Sequence, residues 1–324
     1  MRVFLAGAAG AVGRSLIPTL VQSGHAVFGL TRSEKNADTV RANGAQPVIA
    51  DALDRNAVMK AVQQAKPHAI IHQLTAISQK IDLRHFDREF ALTNRLRTEG
   101  TDNLIAAGLA VGVRRFVAQS YTGWPYERTG GPVKTEEDPL DPNPPKPLRR
   151  SLEAIRHLES TVLGTPAMEG MALRYGSFYG PGNAIGEGGL VLKMMRKRMF
   201  PLIGGGTAVW SFIHIDDVAK ATLAALERGA PGIYNITDDE PAQVSEWLPE
   251  LARAIGAKPP IHIPAWLGRL LIGEAGVIMM TQARGGSNAK AKRELGWNLI
   301  WPTWREGFRR GLNDSRVSVN HLYQ

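Results

Sequence analysis

The stretch that decides the fold is Val3-Phe4-Leu5-Ala6-Gly7-Ala8-Ala9-Gly10-Ala11-Val12-Gly13, at the head of a chain of 324 residues. Its four leading apolar residues have the length and composition of a buried strand. Gly7, Gly10 and Gly13 then recur at every third position. Beyond them Leu16, Ile17, Leu20 and Val21 keep helical spacing until Gly24 stops the run. A second apolar run over 26–30 leads into Thr31-Arg32-Ser33. Strand, glycine turn, helix and strand, in that order, make the opening unit of a dinucleotide-binding fold.

The chemistry of phosphate binding accounts for the glycines. Gly7 permits the tight turn, Gly10 lets the backbone approach a pyrophosphate, and Gly13 lets the helix pack closely on the strand. Ala9, Ala11 and Val12 complete the loop, and the helix N-terminus offers unpaired N–H groups and a partial positive charge. The end of the second strand selects the cofactor. An NAD binder usually places Asp or Glu there for the ribose 2′-hydroxyl. Here Thr31, Arg32 and Ser33 stand in that place, with Lys35 close behind. A guanidinium suits a 2′-phosphate, so the expected cofactor is NADP(H), with NAD(H) second.

The composition narrows the classes. With 44% hydrophobic residues the chain can bury a sizeable core. It has no cysteine, which removes disulfides, thiolate catalysis and cysteine-ligated metal, and fits a reducing, cytoplasmic compartment. No metal site is expected. The formal charge is +9, but the basic residues are scattered, so nucleic acid is not an expected partner. The longest apolar stretch, 263–280, is interrupted by Arg269 and Glu274 and reads as a pair of helices, not a membrane span.

Strand and helix alternate after Arg32. Strands are expected over 46–50, 69–72, 113–118, 171–175 and 232–237, with helices over 54–65, 86–108 and 150–163, and a last one capped by Asp216-Asp217. This alternation specifies an α/β protein with a Rossmann-type, doubly wound parallel sheet and a smaller, mostly helical C-terminal substrate domain. The division expected is 1–177 plus 211–238 for the cofactor domain, and 178–210 plus 239–324 for the substrate domain. The Pro- and Gly-rich loop 123–147 leaves the C-terminal end of a parallel strand, where a binding site belongs.

These residues resemble the extended short-chain dehydrogenase/reductase family, which holds nucleotide-sugar epimerases and dehydratases. The likeness runs through Gly7 to Gly13, Asp51, Asn94 with Gly100-Thr101-Asp102-Asn103-Leu104, and Gly112-Val113-Arg114-Arg115-Phe116-Val117. It continues in Thr135-Glu136-Glu137-Asp138-Pro139, Leu173-Arg174-Tyr175, Tyr179-Gly180-Pro181-Gly182, Phe212-Ile213-His214-Ile215-Asp216-Asp217 and Glu294-Leu295-Gly296-Trp297. The resemblance implies that Asp51, followed by Ala52, accepts a hydrogen bond from the adenine amino group. It implies that Leu74-Thr75-Ala76 and Gln119 pass beneath the ribose and nicotinamide, and that Tyr175 and Gly176 close over the nicotinamide. It also implies a homodimer through 95–108 and 150–163.

The family's catalytic pair is missing. Its members carry Tyr-x-x-x-Lys on the helix after the fifth strand, with a glutamate four residues later. Anchored on Glu159, the pair falls on Ser151 and Ile155, neither able to do that proton transfer. Tyr121 meanwhile stands where the family's catalytic serine would be. The expectation is that Tyr121 supplies the acid, with Ser120 or Thr122 assisting and Arg149, Arg150 or Lys134 lowering its pKa. The alternative is that Tyr121 and Tyr126 simply pack with Trp124. Trp124, Ser177, Phe178 and Trp210 are candidate substrate contacts. Trp210 replaces an arginine that holds the diphosphate in nucleotide-sugar members, so an apolar or aromatic carbonyl compound fits as well as a sugar nucleotide. The expected function is an NADP(H)-dependent oxidoreductase of a small carbonyl or hydroxyl compound. A nucleotide-sugar epimerase/dehydratase and a non-catalytic NADP-binding sensor are the alternatives.

Overall fold

The computed structural model describes residues 1–77 and 82–313. The opening unit forms as its sequence requires: β1 (Arg2–Ala6), α1 (Ala11–Gln22) and β2 (Ala26–Thr31). Then follow α2 (Glu34–Ala42), β3 (Gln46–Ile49), α3 (Arg55–Ala65) and β4 (Ala69–His72). The rest of the sheet comes from β5 (Arg115–Tyr121), β6 (Glu169–Tyr175) and β7 (Gly232–Ile236). Its order is β3-β2-β1-β4-β5-β6-β7, every pair parallel. The order reverses between β1 and β4, so their C-terminal ends open the crevice in which such folds bind ligands.

Two apolar layers cover the sheet. On one face Leu16, Ile17 and Leu20 of α1 pack with Val218, Ala221 and Leu226 of α7 (Ile215–Arg228). On the other, Val58 and Val62 of α3 meet Leu104 and Ile105 of α5 (Glu99–Ala110) and Leu158 and Val162 of α6 (Arg149–Leu163). Side chains such as Leu16 and Leu104, fully enclosed, each contribute about 1.5–3 kcal/mol by leaving water. A third cluster gathers the C-terminal part around Trp247, Leu251, Ile278, Trp304 and Phe308. It also draws in Leu148, Leu152 and Ile155.

Three local expectations are corrected. The run 86–108 is not one helix: Phe86–Glu89, α4 (Ala91–Arg97) and α5 are separate pieces. The break between the last two falls at Thr98, with φ −96° and ψ −84°, where its hydroxyl donates back to the Asn94 carbonyl at 3.1 Å and bends the chain. Secondly, α7 is capped by His214, whose Nδ1 accepts from the Asp216 amide, not by the Asp216-Asp217 pair. Asp217 is instead buried and accepts the amides of Ile300 and Trp301 at 2.7 and 2.9 Å. Thirdly, strand β5 begins and ends later than expected, reaching Tyr121. The stretch 263–280 does form two helical halves, joined at Gly273 with φ +74°. A Cβ there would lie 2.7 Å from the Cα of Arg84, so the kink requires glycine on two counts.

Candidate active site

The phosphate end of the crevice is made of backbone. Gly7 has φ +93°, and a Cβ on it would stand 2.6 Å from the Gln73 carbonyl oxygen at the end of β4. A Cβ on Gly13 would stand 2.3 Å from the Ala8 carbonyl oxygen, which the helix therefore approaches more closely than any side chain permits. Gly10 is exposed and is the N-cap of α1, with no side-chain oxygen bonded to the first turn. Ala9 and Ala11 are half-buried beside it and Val12 is buried under it. The amides of Ala11 to Gly13 precede the first intrahelical bond, which runs from the Arg14 amide to the Gly10 carbonyl. An exposed helix N-terminus with free amides and no side-chain cap is what a diphosphate fits.

At the adenosine end Arg32 is exposed and Thr31 buried, while the Ser33 hydroxyl caps α2 by accepting from the Asn36 amide. Asp51 is exposed; one of its oxygens accepts the Leu53 amide at 3.0 Å. The cap of α3 is Asp54, not Asp51. Ala52 is buried and its carbonyl takes the Asn103 amide group at 3.0 Å. Leu74 and Ala76 line the crevice half-buried, Thr75 is exposed, and the 74 and 76 amides are held by His72 Nδ1 and Thr93 Oγ1. Tyr175 does not close over the cleft with its ring. It is fully buried, its hydroxyl bonded to Thr222 and Gln73, and burial pushes its pKa up to about 12. Gly176 is buried against Ser211, leaving only the backbone of this pair near the crevice.

The reaction end brings Gln119, Ser120, Tyr121, Thr122, Ser177 and Phe178 together at the C-terminal edges of β5 and β6, where Tyr121 pairs with Tyr175. They do not act alike. Ser120 is buried and donates to Glu159 at 2.6 Å. Glu159 in turn holds Arg174 through both oxygens at 2.8 and 2.7 Å. Arg174 also donates to the Tyr126 hydroxyl, which donates to Asn235 at 2.7 Å. Ser120 and Tyr126 are thus spent in a buried network, and the Thr122 hydroxyl is enclosed against Gly286 without a partner. Tyr121 and Ser177 are half-buried, their hydroxyls 3.4 Å apart, as are the neighbouring Phe178 and Gln119.

Ser151 and Ile155 lie on α6 inside the protein. Ser151 is fully buried and receives the Asn94 amide group at 3.0 Å; Ile155 is 1% exposed in the C-terminal apolar cluster. The cations expected to activate Tyr121 lie elsewhere. Arg149 and Arg150 are exposed, and Lys134 is bonded to the Thr129 carbonyl and Asp138. The charge that acts on Tyr121 is Arg97, the last residue of α4. It was hidden in sequence because the break at Thr98, which turns Arg97 inward, interrupts an otherwise helical pattern. Burial still dominates at Tyr121, raising its pKa, with Ser177 and Arg97 pulling it part of the way back. The phenol is therefore not activated. Two proposed substrate contacts also turn out to be packing residues. Trp124 is 8% exposed and sits edge-on to Phe86, while Trp210 donates to the Met279 carbonyl at 2.7 Å and stacks near Trp247. Among the described residues no group of three or more metal-ligating side chains gathers.

Residues 3–237 match the model of the NAD dependent epimerase/dehydratase family. The chain is 43% identical over 313 residues to a 3-diazoavenalumate denitrifying reductase from a Streptomyces species, covering 96% of this chain and all of that one. It is 27% identical to a 4-hydroxy-2-methyl-3-oxo-4-farnesyl-3,4-dihydroquinoline-1-oxide ketoreductase from Stigmatella aurantiaca, with 92% of each chain covered. Among solved structures, a UDP-glucose 4-epimerase from Thermotoga maritima superposes with a TM-score of 0.76 at 21% identity, over 99% of this chain and 100% of that one. A human epimerase family protein with NADPH superposes with a TM-score of 0.74 at 19% identity, over 96% and 99%. These two show a shared fold.

Proposed function

The chain belongs to the NAD dependent epimerase/dehydratase family and is an NAD(P)-dependent oxidoreductase; from that premise we propose that it is an NADP(H)-dependent reductase that replaces the aryl diazonium group of an aromatic acid by hydrogen. One observation supports this reading: among the described residues, the two helix positions of the family's proton donor are filled by packed side chains that carry no acid. Ser151 and Ile155 are locked in packing, and burial raises the pKa of Tyr121 instead of lowering it.

The physical argument is about protons. Reducing a carbonyl creates an alkoxide, which a positioned acid must protonate. Reductive loss of N2 from an aryl diazonium cation creates none, because the cation and the hydride together give a neutral arene and N2. On the substrate the C–N bond breaks with its electron pair leaving in N2, and the same carbon gains hydride. No proton changes hands. The relative at 43% identity is named for this kind of reaction. The cofactor, when bound, supplies the hydride and leaves oxidised. The amides of Ala11 to Gly13 would hold its diphosphate, and Arg32, exposed at the end of β2, a 2′-phosphate. Half-buried Tyr121, Ser177 and Phe178 line the space for the substrate. Carbonyl reduction with Tyr121 as a weak acid is the second reading, favoured by its hydroxyl lying 3.4 Å from that of Ser177.

The test is to follow NADPH oxidation and N2 release with the diazonium salt of 3-aminocinnamate, above the rate without protein, and in parallel with a panel of ketones. One NADPH consumed per N2 released supports the proposal. Turnover of ketones alone moves the assignment to the second reading. A homodimer through α5 and α6 is a further part of this proposal, supported by Leu109 and Leu163, 44% and 40% exposed on those helices. A mass of one chain by light scattering would end it.

A further inference from the structure

Arg97 is 5% exposed, and among the described residues no acceptor takes a hydrogen bond from its guanidinium. Glu159 is the one carboxylate whose charge acts on it, but both Glu159 oxygens are already occupied by Arg174 and Ser120. Glu136, the next carboxylate in this region, accepts the Asn235 amide and faces Arg174 and Lys290. His72, also within reach of Arg97, is kept neutral: burial lowers its pKa to about 4. Arg97 and Arg174 thus face one shared carboxylate, Glu159, which Arg174 and Ser120 already occupy. The surplus charge is Arg97. Burial lowers its pKa only to about 10, so it remains a cation at neutral pH.

An enclosed cation without a partner is expensive for a fold to keep, and an anion from outside would relieve it. The charge of Arg97 reaches Tyr121, a half-buried residue whose hydroxyl lies 3.4 Å from that of Ser177. We propose that Arg97 is the carboxylate receptor of the substrate site, its guanidinium taking an organic acid's carboxylate beside the Tyr121 hydroxyl. This deepens the reading of the substrate as an organic acid and rests on it only for that class. A planar fork of donors matches a carboxylate through two parallel bonds, which lysine could not reproduce.

The experiment compares cinnamate with cinnamamide, the same shape with and without the charge, by calorimetric titration of the full chain saturated with NADP⁺. Wild type is expected to bind cinnamate at least about tenfold more tightly, as a charge-assisted pair should. Arg97→Met should erase that preference, leave NADP⁺ affinity unchanged, and melt without ligand at or above the wild-type temperature, since the uncompensated charge is gone. Equal binding of the two probes by wild type, or a preference that survives in Arg97→Met, overturns the proposal. So does a failure of both Arg97→Met and Arg97→Gln to fold, because the guanidinium would then serve the fold and not a ligand. A chain that releases no N2 from the diazo acid yet shows an Arg97-dependent carboxylate preference loses the reductive reading and keeps this one.

Discussion

The phosphate cradle and the reaction end sit on the same sheet, yet they are built from different materials. Gly7 to Gly13 offer backbone amides, and all the atoms that would hold a phosphate come from seven consecutive residues. The reaction end draws Arg97 from α4, Ser120 and Tyr121 from β5, Ser151, Ile155 and Glu159 from α6, and Arg174 and Ser177 from β6 and beyond. A site made of local backbone depends on conformation, which glycine spacing reveals. A site made of remote side chains depends on who meets whom.

That difference explains what could be read in advance. The parallel sheet, its order of elements and the cradle follow from apolar runs and glycine spacing, because each signal is contained in one short window. The loss of Tyr-x-x-x-Lys is equally local and equally legible. Arg97 was not. It is buried at the bend before Thr98, and its meaning depends on Glu159 being saturated by Arg174, both far along the chain from it. The fates of Trp124, Trp210 and Tyr175 were hidden for the same reason: an aromatic residue near a crevice lines it or packs behind it according to neighbours that periodicity does not name.

Two substitutions press on this contrast directly, one in each region. Glu159→Gln should have the largest effect, destabilising the fold by about 3–5 kcal/mol, because it leaves Arg174 buried without its counter-charge. Denaturant midpoints would measure it, and a loss below about 1 kcal/mol would mean the reaction end is not held by this ion pair. Gly13→Ala follows. Its Cβ would be 2.3 Å from the Ala8 carbonyl oxygen, so α1 must shift, at about 1–3 kcal/mol and with loss of cofactor binding. Titration with NADP⁺ reads the second part. Unchanged affinity would show that the amides of α1 do not hold the diphosphate.

Arg32→Ala should act only at the far end of the cradle. Arg32 is exposed at the end of β2, so its removal should leave stability within about 0.5 kcal/mol. A contact with a 2′-phosphate, worth about 1.5–3 kcal/mol, should appear as a KM for NADPH raised by about tenfold or more, with the KM for NADH little changed. Parallel rises for the two cofactors would put Arg32 away from the 2′-position.

The smallest effect should come from the residue that first looks most catalytic. Tyr121 has the right place, half-buried at the end of β5, but burial raises its pKa and its neighbour Ser177 offers only a 3.4 Å contact. If the hydride-for-N2 exchange is the reaction, Tyr121→Phe removes a hydrogen bond to the substrate and nothing else. The KM for the diazo acid should then rise by the worth of one neutral hydrogen bond, about 0.5–1.5 kcal/mol, with kcat unchanged. If the phenol is an acid, kcat should instead fall by roughly 10²–10⁴-fold, since the developing alkoxide would lose its proton source. The two outcomes separate a group that positions a substrate from one that completes its chemistry. They also decide whether the reaction end of this fold, unlike the cradle, has changed its chemistry while keeping its frame.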